Sequence, residues 1–333
     1  MLSRHSKCAL ILAFVTLVDS GCKTVPPPPV REGSVTLNGG DQLFYRIAGD
    51  GTDTVIVVPG GPALGSRYLE TALGGLGRSH VLVFYDPRGR GRSSAAQHPD
   101  SFSLVQDVGD LVALHDSLRL GPVGLIGHQW GAAVVLHFAL VHPADVRRVV
   151  LLSPMAHRQD FIFELSILPN DSAALARHGA ARVAKVDTLD PTGYCRAFWG
   201  FAFSPVEETA DKVIQAVAPD ICADPPERLR LRESIQRQFY LGMPGWSWID
   251  SLPLLTRPTL VLTGDAVPAL IAGAKAWAGR LPDGRLLVTH GSALFPWVDD
   301  RRAVEDAVRQ FLNGAWPGGA VEIRSPPDSV SHS

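Results

Sequence analysis

Two patterns of apolar and polar positions divide this chain of 333 residues. In its first and last parts, short apolar runs alternate with stretches where apolar residues recur every three or four positions. That predicts strands alternating with helices. The strands are Ser34–Leu37 and Gln42–Ile47 around Asn38-Gly39-Gly40-Asp41, then Thr54–Val58, Val81–Tyr85, a run from Val123, and Val146–Leu152. Helices are predicted over Ser66–Leu76, from Ser103 with Leu104, Val108, Leu111, Val112 and Leu118 on one face, and after Gly131. Thr54–Val58 is apolar without alternation, as a strand covered on both faces requires. A hairpin followed by alternating strands and helices predicts an α/β fold, its sheet mostly parallel and flanked by helices. From Met155 to Leu255 the alternation stops, and helical spacing prevails with Phe198, Trp199, Phe201, Phe203, Trp246 and Trp248. Alternation returns with Pro258–Thr263, a helix over Leu270–Leu281, Arg285–Thr289 and a helix over Arg302–Leu312. The expected organisation is a core of residues 34–154 and 256–313, an inserted helical cap of 155–255, and a disordered Gly/Pro/Ser-rich tail of 314–333.

A hydrophobic content of 46% supplies an ample core, and a net charge of −2 gives no polybasic surface for nucleic acid or acidic lipid. Arg4 and Lys7 precede an apolar run from Cys8 to Val18 and then Asp19-Ser20-Gly21-Cys22. This is the order of an export signal, too short for a membrane span, so residues 1–22 read as a leader. Gly21-Cys22 resembles a bacterial lipobox, which implies lipidation at Cys22 and a membrane-anchored or periplasmic protein; Asp19 departs from that pattern. Residues 23–33, with Pro26–Pro29, read as a stiff spacer. Cys195 and Cys222 form a disulfide or stay as two buried thiols; the sequence leaves both open.

The stretch that organises the chain is Val123-Gly-Leu-Ile-Gly127-His128-Gln129-Trp130-Gly131 and the helical pattern after it. Strand, sharp turn and helix form the context of a nucleophile elbow, in which G-x-S-x-G lifts a Ser above the end of a sheet. Here the middle residue is Gln129, whose amide is no nucleophile. Three further segments keep company with it: Gly60-Gly61-Pro62, Asp86-x-Arg88-Gly89-x-Gly91-x-Ser93, and Gly291 followed by Phe295-Pro296-Trp297. Together they resemble the α/β-hydrolase family, most closely its proline-iminopeptidase-like branch, over about Ser34–Leu312. The resemblance implies an α/β-hydrolase fold and a Ser, Asp, His triad in that order, with backbone N–H groups of Gly61 and Trp130 forming an oxyanion hole. The matched triad positions hold Gln129, Val267 and Leu294, and the oxyanion loop carries Pro59 and Ala63 where the family has His and Gly.

Neighbouring residues offer weak substitutes. Asp265 reads as a turn residue, His290 as a strand-end side chain pointing elsewhere, and His128 as structural. Ser153 and His157 follow a strand end, and Ser292 flanks the lost His position. No HxH or HExxH spacing marks a metal site, and no cofactor is implied. Three readings follow: a catalytically inactive homologue holding a small-molecule or peptide ligand between core and cap; an active aminopeptidase or esterase working through other residues, or a protein derived from one; and a scaffold without ligand.

Overall fold

A computed structural model describes residues 29–96, 102–155, 186–202, 207–243, 245–248, 250–291 and 294–324. Eight strands make one sheet: β1 (Val30–Thr36), β2 (Gln42–Ala48), β3 (Asp53–Val58), β4 (His80–Tyr85), β5 (Val123–His128), β6 (Val146–Leu152), β7 (Thr259–Gly264) and β8 (Gly284–Thr289). Their order is β1-β2-β4-β3-β5-β6-β7-β8. The β1/β2 hairpin joins antiparallel to β4, and every other pairing is parallel. Each central strand buries both faces, because apolar side chains project alternately to the two sides. Along β3, Val55 and Val57 enter one core while Ile56 and Val58 enter the other.

Helices α1 (Arg67–Leu73), α2 (Leu104–Ser117) and α3 (Trp130–Val141) lie within the first part of the chain. The cap, inserted between β6 and β7, contributes α4 (Val186–Leu189), α5 (Pro191–Ala202), α6 (Glu207–Ala216), α7 (Ala218–Ile221) and α8 (Pro226–Leu241). Then come α9 (Pro268–Ala278) and α10 (Arg301–Leu312). Residues of α2, α3 and α9 pack on one face of the sheet, those of α1 and α10 on the other. Ser103 caps α2 by accepting a hydrogen bond from the Gln106 N–H (3.2 Å). In the cap, a Cys195–Cys222 disulfide ties α5 to the end of α7, which settles the pairing that the sequence left open.

Three expectations are corrected. Strand β1 begins at Val30, inside the predicted spacer of residues 23–33, because Val30 to Gly33 continue the register opposite Ala48 to Tyr45. The tail predicted as disordered is ordered through residue 324. Leu286 and Val321 exchange two backbone hydrogen bonds (2.8 and 2.9 Å), and the Trp316 ring sits 4.9 Å from that of Phe311. The segment thereby pairs with the otherwise open edge of β8. Third, the buried face of α2 includes Asp107 and Asp110, while Val108 and Val112 are only half-buried. The reason lies in the Asp86–Ser93 turn. Its Arg88 bonds Asp110 (2.6 and 3.0 Å) and Asp41 (2.9 Å), and its Arg90 bonds Asp107 (2.8 Å). Buried carboxylates are tolerable when paired in this way. The leader 1–22, with Cys22, and residues 325–333 lie outside the described residues, as do His157, Phe203 and Ser292.

Candidate functional site

The site forms where β5 turns into α3. Gly127 and Gly131 allow helix and strand to meet closely: a Cβ on Gly127 would collide with the Gly131 carbonyl, and one on Gly131 with the Val58 carbonyl. Between them Gln129 adopts φ 48° and ψ −106°, a region that non-glycine residues enter only under constraint. The constraint comes from β6 and its continuation. The Gln129 N–H donates to the Leu152 carbonyl (3.0 Å), and the Gln129 carbonyl accepts from the Met155 N–H (3.3 Å). A residue with no nucleophile therefore holds the backbone posture that an elbow uses to present one.

The side chain of Gln129 folds back onto its own turn. Its Oε1 accepts hydrogen bonds from the N–H of Gly61 (2.7 Å) and the N–H of Trp130 (3.2 Å). These are the two backbone donors that the resemblance assigned to an oxyanion hole. Two donors converging on one atom require an acceptor there, so the amide oxygen is inward and Nε2 faces away. Gly61 reaches this position with φ +94°, which glycine adopts without strain.

Beneath the elbow a polar relay joins three loops. The Gly60 N–H donates to the Tyr68 hydroxyl (2.9 Å), and that hydroxyl donates to His128 Nδ1 (2.7 Å). His128 Nε2–H donates to the Leu294 carbonyl (3.0 Å). A carbonyl only accepts, so the proton of the neutral imidazole is on Nε2. The ring also stacks on Phe295 and meets Trp297 edge-on, with centroids 5.4 and 5.2 Å away. Burial pushes the His128 pKa down to about 4, against a smaller upward pull from the Leu294 carbonyl. Burial likewise pushes the Tyr68 phenol well up.

This gives a signed pH dependence. The unfolded chain takes up a proton near pH 6.5, which folded His128 refuses until about pH 4. The stability this neutral ring contributes is complete above pH 6.5 and is lost as pH falls toward 4, on the order of 3 kcal/mol in all. Urea unfolding at pH 7 and pH 5 is expected to register the loss, with His128→Asn flattening the slope. An unchanged slope in that variant would assign the acid sensitivity to other groups.

The other two positions assigned by the resemblance lie on the same edge of the sheet. Val267 precedes α9 as its N-cap, and Leu294 follows β8 with only 6% of its surface exposed. Both join an apolar cluster with Leu64, Phe295 and Trp297, against which the cap's Phe198 and Trp199 pack. Asp265 and His290 do meet, Oδ2 to Nδ1 at 2.6 Å, and Asp265 Oδ1 accepts from the Gly291 N–H (2.8 Å). Bonding to His290 and to that N–H holds the Asp265 carboxyl below its usual range. The His290 side chain, however, is 95% exposed. Ser153 bonds Thr263 (3.3 Å) at the sheet's end. Among the described residues no cluster of three metal-ligating side chains occurs.

Two site residues escaped sequence reasoning. Tyr68 stands on α1, where its spacing reads only as core. Asp107 accepts from both Arg90 and the Trp130 indole N–H (2.9 Å) and so braces the residue that donates to Gln129. Only the charge repeat Asp107/Asp110 opposite Arg88/Arg90 could have signalled it.

This chain belongs to the alpha/beta hydrolase fold family, which matches residues 53–293. It is similar to a proline iminopeptidase of Levilactobacillus brevis, 25% identical over 81% of this chain and 93% of that one. A proline iminopeptidase of Heyndrickxia coagulans is 31% identical, over 37% of this chain and 43% of its own length. The matched part thus spans less than half of the latter relative. Among solved structures, a proline iminopeptidase of Mycobacterium smegmatis superposes with a TM-score of 0.61 at 20% identity, covering 85% of this chain and 98% of that one. A thermophilic esterase from Thermogutta terrifontis does so with a TM-score of 0.63 at 23% identity, over 85% and 98%. Likeness at this level of identity establishes the fold alone.

Proposed function

We propose that this chain is a non-catalytic member of its family, an exported protein that binds at the elbow and hydrolyses nothing there. One observation carries the reading: Gln129 supplies no nucleophile, and its Oε1 occupies the niche of Gly61 and Trp130 N–H where a reacting carbonyl oxygen would be stabilised. Apolar Val267 and Leu294 at the acid and base positions support it, since neither can move a proton or orient a group that does. The likeness to proline iminopeptidases points to such an enzyme as the ancestor. Export to an oxidising compartment with an anchor at Cys22 rests on the leader, and the Cys195–Cys222 disulfide supports it.

One expression experiment tests both parts. Produced with its leader in a Gram-negative host, the protein is expected to fractionate with membranes and incorporate labelled palmitate, and Cys22→Ala to abolish the label. The purified protein is expected to ignore a fluorophosphonate probe and to leave aminoacyl-arylamides and short aryl esters intact. Turnover abolished by His290→Ala would overturn the non-catalytic reading in favour of an enzyme working through other residues. A soluble, unlabelled periplasmic product would remove the anchor.

A further inference from the structure

Gln129 has two ends, and only one is engaged. With Oε1 held by Gly61 and Trp130, Nε2 carries two N–H groups that have no partner among the described residues, on a side chain partly open to solvent. A primary amide pinned by its oxygen at a helix start presents its donors in one direction. The other two positions that the resemblance assigns to the same edge of the sheet are apolar. Val267 and Leu294 stand where relatives need an acid and a base, Ala63 and Leu64 line the loop, and Phe198 and Trp199 pack onto the same cluster from the cap. The nearest titratable ring, His128, has both nitrogens committed and is neutral by burial.

We propose that the site takes an uncharged, largely apolar molecule by one carbonyl oxygen, which accepts from Nε2 of Gln129 while Oε1 of the same side chain stays in the backbone niche. This rests on the non-catalytic reading above. A hydrolase holds its substrate's carbonyl oxygen in the niche; here the side chain takes that place and relays the recognition outward by one amide. A carboxylate is disfavoured, because it would shed water beside Val267 and Leu294, which offer it no counter-charge. A hydrocarbon without an acceptor would leave the amide N–H groups covered and unpaired, which is itself costly.

The test uses nitrogen-labelled, deuterated full chain and three small probes of similar shape: benzylacetone, butylbenzene and hydrocinnamate. The Gln129 side-chain NH2 signals are identified by their loss in Gln129→Glu, which keeps an oxygen for the niche and replaces the outward donor with an acceptor. Benzylacetone is expected to shift those signals saturably in the wild type and to bind about tenfold more tightly than butylbenzene, the worth of one good hydrogen bond. Hydrocinnamate is expected to bind no better than butylbenzene. In Gln129→Glu the ketone is expected to lose its advantage while butylbenzene binding holds. A crystal structure of the benzylacetone complex is expected to place the ketone oxygen on Nε2. The proposal is overturned if no probe shifts the NH2 signals, if the acid or the hydrocarbon binds as tightly as the ketone, or if Gln129→Glu is indifferent. It is equally overturned if the crystal shows the ketone in the niche with Gln129 swung out. Ester turnover by the wild type would sink the non-catalytic reading without touching these binding results, so the two failures are distinguishable.

Discussion

Gln129→Ser, Val267→Asp and Leu294→His introduced together are expected to restore hydrolysis of aryl esters or aminoacyl-arylamides. The scaffold they need is in place. Position 129 already has φ 48° and ψ −106°, and the Gly61 and Trp130 N–H groups already converge on one oxygen. Shortening the side chain to Ser vacates that niche for a substrate carbonyl and sets a hydroxyl at the apex. Triad members act as a unit worth about a millionfold in rate, so single changes are expected to yield almost nothing and the gain to be strongly non-additive. The Ser and His pair is expected to recover most of it, since the acid is the least costly member to lose. Pro59 and Ala63, both buried in the loop before α1, set the ceiling, because they shape the approach to Gly61. A triple variant that folds and melts cooperatively yet stays inert on a broad panel would mean that the pocket as well as the triad has left hydrolysis behind.

Removing the carboxylate beneath the elbow is expected to be the most damaging single change to stability. Asp107 is buried, and burial raises its pKa despite the opposing pull of Arg90. Arg90 is fully buried over the rings of Phe102 and Phe239, with centroids 5.2 and 4.8 Å from its Cζ, and its Nε and Nη2 have no hydrogen-bond partner among the described residues. Asp107→Ala leaves that charge uncompensated and frees the Trp130 indole N–H as well. The expected cost is about 3–5 kcal/mol, read as a lower urea midpoint at constant slope. Arg90→Met combined with Asp107→Leu is expected to recover most of it, because an apolar pair of similar volume needs no partner. A loss under about 1 kcal/mol in Asp107→Ala would show that water reaches Arg90 and that the pair is not a buried one.

Much of the fold was legible because strands and helices announce themselves locally. The apolar β-branched run of β3, the cap of α2 at Ser103 and the glycines of the elbow each follow from short-range sterics and periodicity, and each is found where the sequence puts it. The reading of Gln129, Val267 and Leu294 as the matched positions rests on spacing in the same way, counted from glycines and from Phe295-Pro296-Trp297. What misled was a local rule applied to a non-local pair. The apolar face assigned to α2 omitted Asp107 and Asp110, because periodicity cannot foresee that two arginines from a distant turn will neutralise them. The tail was misread likewise: its composition says loop, but β8 had a free edge to pair with.

The sequence by itself determined that this chain is an α/β protein with a helical insertion, and that positions 129, 267 and 294 carry Gln, Val and Leu. Those are facts of identity and spacing. Only the tertiary structure decided what the amide does. Gly61 and Gln129 lie 68 residues apart, and which end of a carboxamide turns inward depends on whether donors or acceptors meet it. Folding brings two backbone donors to that point, so the oxygen is captured and the nitrogen is left outside the niche.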